Sequence, residues 1–225
     1  MFFETGDWDA AAAVMKESAL GMAESVQMLG DAGAVNFVVP GAPYFSESAW
    51  LCGLAVADAL GKYYNTMLKT ELAALDGDLR ILFFDLFGFE TAVAEHFITD
   101  CNYCVSMFDP TVPECSNPDE LMNWDEAHVS APVQQLIGDA ITVAMLREEV
   151  LRLTVAGTLQ GGNSNALLVK LDGAFKKLEN RKPKTAANKI RAFANQVNAF
   201  VRTGKLSAEQ AGLLLVGAHG IVDQP

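Results

Sequence analysis

The sequence predicts an α/β domain followed by an all-α helical bundle, and three observations carry that expectation. Two short apolar runs, at 35–39 and 79–85, are bounded by turn residues and separated by one long amphipathic stretch, the pattern of buried parallel strands joined by a helix. Beyond residue 150 apolar residues recur only at helical spacing. The charge also changes sign: residues 1–140 carry 22 acids against 4 bases, and residues 141–225 carry 6 against 12. Such a step marks a boundary near 140–150, so the expected domains are 1–142 and 143–225. The chain has 225 residues, of which 51% are hydrophobic, ample for one large or two small cores.

Asp7 or Asp9 is the expected cap of a first helix through Ala10 to Leu29, with Val14, Leu20, Met22, Val26 and Leu29 facing inward. Gly30 and Gly33 stop it. The first strand, Val35 to Val39, is ended by Pro40, Gly41 and Pro43, which open a loop running to Ser48. This is the carboxyl end of a strand, where an open α/β sheet places its site. The loop contains Ser46 and Ser48 beside Tyr44 and Trp50. By ordinary capping preference Ser46 is first of all the expected cap of the next helix.

That helix is expected from Ala49 or Gly53 to Leu75, turning Leu54, Val56, Leu60, Tyr64, Met67, Leu68 and Leu72 inward. Asp76-Gly77-Asp78 stops it, and the second strand follows from Leu79 to Asp85. Asp85 either lines a cleft or caps a short helix expected from Phe89 to Phe97, on which His96 is a surface or half-buried residue. The interval Thr99 to Leu121 holds three prolines and reads as irregular, too long for a plain connector. Its cysteines, Cys101, Cys104 and Cys115, point to an oxidising, extracellular compartment and to a bridge from Cys115 to Cys104 or to Cys101. A zinc site lacks a convincing fourth ligand, and no metal or cofactor is expected.

In the second half, a helix is expected from Val133 towards Leu153. Asn163 to Leu178 aligns Leu167, Leu168, Leu171, Phe175 and Leu178 on one face, and Lys184 to Val201 aligns Ala187, Ile190, Phe193, Ala194, Val197 and Phe200. Ser207 and Gln210 form a capping box for a last helix over 208–222. Gly157, Gly161, Gly162 and Gly204 separate the helices.

No run of eighteen apolar residues exists, so no transmembrane segment is expected. The basic cluster Arg181, Lys182, Lys184, Lys189 and Arg191 has no interleaved aromatics, and a chain with net charge −12 repels phosphate, so no nucleic-acid partner is expected. Two parallel strands leave apolar sheet edges open. The expected remedy is a homo-oligomer, or complementation by another polypeptide, through that edge.

The chemistry concentrates at Trp124-Asp125-Glu126-Ala127-His128. An Asp and a His three apart on one short loop supply a general base, His128, and the carboxylate that orients it, Asp125. This segment, with Pro132 and the amphipathic run behind it, resembles the last signature of the GDSL or SGNH family of serine esterases and lipases. The resemblance extends back through Ile81-Leu82-Phe83-Phe84-Asp85, Gly88-Phe89, the cysteines before Asp125, and Phe37 to Pro43. It covers about residues 1 to 142. Where the family has Pro-Thr after its histidine, this chain has Val129-Ser130.

The resemblance implies a flavodoxin-like parallel sheet flanked by helices, and ester hydrolysis through a Ser-His-Asp triad and an acyl-enzyme. It brings no nucleophile. The family's serine follows a Gly-Asp pair, and Gly6-Asp7, Gly30-Asp31, Gly77-Asp78 and Gly138-Asp139 here are followed by Trp, Ala, Leu and Ala. Phe2-Phe3-Glu4 resemble the residues that directly follow the family's oxyanion Asn-Asp segment, so the expectation is a partial domain lacking the nucleophile block. Ser46 and Ser48 are the candidate substitutes.

The second half, through Asn165 to Asp172, Ala186 to Ile190 and Phe193 to Phe200, resembles the FIMAH accessory module of secreted bacterial enzymes. That implies packing or attachment without catalytic residues. Two functions compete: a carboxylic ester hydrolase acting on a small-molecule or lipid ester, and a truncated or degenerate hydrolase that binds or builds without turnover.

Overall fold

A computed structural model describes residues 7–47, 51 and 53–223. It is a mixed α/β chain, mostly helical, with two small parallel sheets. It divides into two compact units, Met1–Ala131 and Pro132–Pro225. The division therefore precedes the expected boundary after residue 142. The step in composition lies within one long helix, and a helix does not break where its charge changes.

In the first unit, helix α1 (Trp8–Asp31) is capped by Asp7, whose Oδ1 accepts the Ala10 N–H at 3.0 Å. Its buried face is Ala11, Ala19, Ala23 and Val26. Val14, Met22 and Leu29, expected inside, are exposed. The small residues win because they let the helix axis approach its neighbours closely, which a face of longer side chains would prevent. Strand β1 (Asn36–Pro40) pairs in parallel with β2 (Arg80–Phe84), Asn36 opposite Arg80 and Pro40 opposite Phe84. The crossover is α2 (Ala55–Ala73), as a parallel pair requires. Ala19, Ala23, Val26, Val39, Leu68 and Leu72 form the core of this layer, with Phe37, Ile81 and Phe83 packed on it. Gly30, expected to stop α1, lies within its last turn, where a Cβ would stand 2.7 Å from Leu79 Cδ2; Ala32 is the C-cap, and Gly33, with φ of 101°, follows it.

Helix α2 starts later than expected. Its N-cap is Leu54, without a side-chain cap bond, so Ser46 does not cap it. Asp85 caps the short α3 (Leu86–Ala94) by accepting the Gly88 N–H at 3.2 Å, which assigns it to the cap and not to a cleft. His96 lies beyond the end of α3 and is exposed. The interval expected to be irregular contains strand β3 (Ile98–Tyr103), parallel to β4 (Leu121–Asn123). Its core letters, Thr-Asp-Cys-Asn, hide the apolar alternation that marks a strand. Cys104 and Cys115 form a disulfide, which excludes them as zinc ligands and contributes about 3 kcal/mol by restricting the unfolded chain. Among the described residues β1 and β2 pair only with each other, as do β3 and β4.

The second unit contains most of α4 (Ala131–Val155), then α5 (Gly162–Glu179), α6 (Pro183–Arg202) and α7 (Ala208–Val222). Leu167, Leu171, Leu178, Ile190, Phe193, Val197 and Leu214 are fully buried. Phe175 is half-buried instead of inside, and Ala186 takes the inner place expected of Ala187. Ser207 and Gln210 form the reciprocal capping box. Gly157, Gly161 and Gly204 have φ of 75°, 46° and 69°, the left-handed turns that stop and restart these helices. No helix among the described residues is long and apolar enough to cross a membrane.

Candidate active site

Past Asn123 the chain folds back sharply. The Trp124 N–H donates to His128 O at 2.8 Å, the Ser130 N–H to Met122 O at 2.9 Å, and Asn123 bridges Val129 in antiparallel fashion. Trp124 O in turn accepts the N–H groups of Cys104 and Val105, both at 2.9 Å. The turn is thus anchored against the end of β3.

Asp125 is buried on this turn. Its Oδ1 accepts the N–H groups of Ala127 at 2.9 Å and His128 at 2.7 Å, an Asx turn that sets the backbone. The carboxylate also faces His128 Nδ1, at 3.0 Å from Oδ1 and 2.9 Å from Oδ2. Burial raises the carboxyl pKa, but the Ala127 N–H, the His128 ring, the His128 N–H and the ring's charge together outweigh it and hold the group below the usual carboxylate range. An ionised partner fixes the proton on Nδ1 and leaves Nε2 as the acceptor. With its side chain 64% exposed, the imidazole is open to a substrate. The Asp-His geometry expected from the spacing is present.

Glu126 braces the same turn from the other side. It is buried; its Oε1 accepts the Ser106 hydroxyl and its Oε2 the Met107 N–H at 2.7 Å. Burial raises its pKa, and the Ser106 hydroxyl and Met107 N–H more than reverse that shift, leaving it low. Ser106 Oγ accepts the N–H groups of Phe108 at 3.2 Å and Asp109 at 3.0 Å, so one carboxylate ties the disulfide loop to the turn that bears His128.

The loop after β1 is clasped at every second residue. Asn65 Oδ1 accepts the Ala42 N–H at 2.6 Å, Glu90 Oε2 the Tyr44 N–H at 2.7 Å, and Asp58 Oδ1 the Ser46 N–H at 2.9 Å. Gly41 is required here, because a Cβ would stand 2.6 Å from Asn65 Oδ1 and 2.7 Å from Phe83 Cζ. Burial pushes the Glu90 carboxyl up to about 7, against the lowering effect of the Tyr44 N–H. Ser46 sits half-buried in a short 3-10 turn, Phe45–Glu47, which rests on α2 and touches β3. Ser48 lies outside the described residues.

The turn bearing Ser46 thus touches β3, the neighbour of β4, and no hydroxyl among the described residues is hydrogen-bonded to the His128 ring. Ser130, two positions from His128, is 1% exposed with an unpartnered hydroxyl, which removes it from substrate reach. Among the described residues no group of three His, Cys, Asp or Glu side chains is placed to hold a metal. Asn65, Asp58, Glu90, Ser106 and Glu126 escaped the sequence reading. Glu90 alone left a signal, as the single acid within the apolar helix Leu86–Ala94. No protein-family model matches the chain, and none of the curated proteins compared with it does so.

Proposed function

We propose that the chain is a carboxylic ester hydrolase of the GDSL/SGNH type, in which Asp125 and His128 activate a serine hydroxyl. The observation that carries this reading is the paired contact of His128 Nδ1 with both Asp125 oxygens on a ring whose side chain is 64% exposed. In that arrangement Nε2 takes the hydroxyl proton as the oxygen attacks the ester carbonyl, and returns it to the departing alcohol. Water then repeats the sequence on the acyl-enzyme. Ser46 and Ser48 are the candidate nucleophiles on this chain, in the loop after β1. The disulfide supports an extracellular setting. The helical unit serves as a FIMAH-like accessory module, and the edges of β1 and β2 that pair with no other strand among the described residues are where a second copy or another polypeptide completes the sheet.

Hydrolysis of a short-chain chromogenic ester by the native chain, Ser46→Ala and Ser48→Ala tests the assignment. Loss of turnover, by about a thousandfold or more, is expected in one serine variant. Activity indifferent to both removes them as nucleophiles.

One observation favours a second reading. Asp125 Oδ1 already serves two backbone N–H groups, so the pair has a structural task without any hydroxyl partner. On that reading the chain is a degenerate hydrolase that acts as a binding or structural protein, and the native chain hydrolyses no ester.

A further inference from the structure

The disulfide-closed loop, tied through Glu126 to the turn that bears His128, exposes apolar side chains. Phe108 is 67% exposed, Met107 50%, Val112 37% and Trp124 36%. Of the three exposed Phe and Trp side chains among the described residues, Trp8, Phe108 and Trp124, two stand here. Their backbone segments are held against the same turn. The Met107 N–H is bound to Glu126, and the Cys104 and Val105 N–H groups to Trp124 O, so the loop tip and Trp124 flank one turn.

A disulfide and several hydrogen bonds hold this apolar tip. The Cys104–Cys115 bridge closes its base, and Ser106 and Glu126 fix its approach. Asp109 Oδ1 accepts both the N–H and the hydroxyl of Thr111, at 2.9 and 2.6 Å, shaping the bend that follows. A preformed apolar projection loses little conformational freedom when it is covered, which is what a binding surface needs. A patch of this kind marks a partner or membrane contact.

Charge decides between occupants. The sequence has no lysine or arginine between Arg80 and Arg147; the loop itself carries Asp109 and Glu114, and Asp119 and Glu120 follow it on the next turn. An anionic surface is repelled by such a loop. A lipid whose outermost group is a quaternary ammonium suits it: the carboxylates meet the cation while the side chains pass beyond it.

We propose that Met107, Phe108, Val112 and Trp124 form a lipid-contacting surface that enters a zwitterionic lipid layer and brings its ester bonds to His128. The last clause rests on the ester-hydrolase reading; the surface itself does not. As a lipid contact, the loop names the substrate class of that site as esters presented at a lipid-water boundary.

The test is flotation of the full chain with phosphatidylcholine vesicles, with and without added phosphatidylglycerol. The native chain is expected to float with phosphatidylcholine and less with the anionic mixture. The double change Met107→Ser with Phe108→Ser is expected to weaken partitioning about tenfold or more, since two large apolar side chains no longer enter the lipid. Phe108→Trp should retain it. Both side chains are exposed, so the unfolding temperature of the double variant checks that the fold is intact. Failure of the native chain to float, equal flotation of the double variant, or binding confined to anionic vesicles overturns the proposal. Flotation needs no turnover, and hydrolysis of a water-soluble ester needs no vesicle. Loss of one result without the other identifies which reading has failed.

Discussion

The helical unit and the strand-bearing unit hold their shapes by different means. In α5, α6 and α7 the work is done by apolar side chains at helical spacing, and Leu167, Leu171, Ile190, Phe193 and Leu214 are fully buried. In the first unit the segments that matter chemically are irregular, and buried polar side chains fix them: Asn65, Glu90 and Asp58 on the loop after β1, Asp125 and Glu126 on the turn after β4. Periodic packing gives stability without presenting reactive groups. Side-chain to backbone bonds give a turn one defined shape and leave a group such as the His128 ring at the surface.

If that contrast is right, the helical unit should fail first through its core. Phe193→Ala is expected to cost about 3–5 kcal/mol, read from denaturant unfolding of the full chain. Val216→Ala, on a side chain 74% exposed, is expected to change stability by less than about 0.5 kcal/mol. A small effect of Phe193→Ala would mean that the bundle is not held by its apolar seam.

The first unit should instead answer to pH. Glu90 binds its proton more tightly when folded, with a carboxyl pushed up to about 7, so ionising it favours the unfolded chain. Its penalty is absent below the ordinary carboxylate range, grows as pH rises, and is complete above about 7. From that shift the penalty is on the order of 3 kcal/mol, and Glu90→Gln should remove this slope and raise stability at pH 8. Asp125 has the opposite sign: its lowered pKa stabilises the fold at neutral pH, and that contribution is lost as pH falls through the depressed value. Unfolding measured across about pH 2 to 8 separates the two, the Asp125 effect falling below the ordinary carboxylate range and the Glu90 effect above it, and an unchanged slope in Glu90→Gln would refute the role of the buried acid.

The same contrast explains what could be read from the sequence. The last helices were legible almost to the residue because their pattern is local: Ser207 and Gln210, and Ile190 to Phe200, define cap and face without reference to the rest of the chain. The strands at 36–40 and 80–84 were legible as apolar runs between turn residues. Strand β3 was not, because its partner β4 lies eighteen positions after its end and its own residues are polar. The inner face of α1 was misplaced for a related reason. Its alanines are chosen by the closeness of neighbours that the helix sequence does not contain. At the site, Asp125 and His128 announce themselves by spacing, whereas Glu126 and Ser106, twenty positions apart, become partners only once the disulfide loop is closed.

The central claim is that the exposed imidazole of His128, aimed by Asp125, acts as a base towards an ester. Initial rates of hydrolysis of a short-chain p-nitrophenyl ester by the native chain and by His128→Ala, measured side by side at pH 8, test it most directly. The account predicts turnover by the native chain and a loss of about a thousandfold or more in the variant. Equal rates for the two proteins would contradict it.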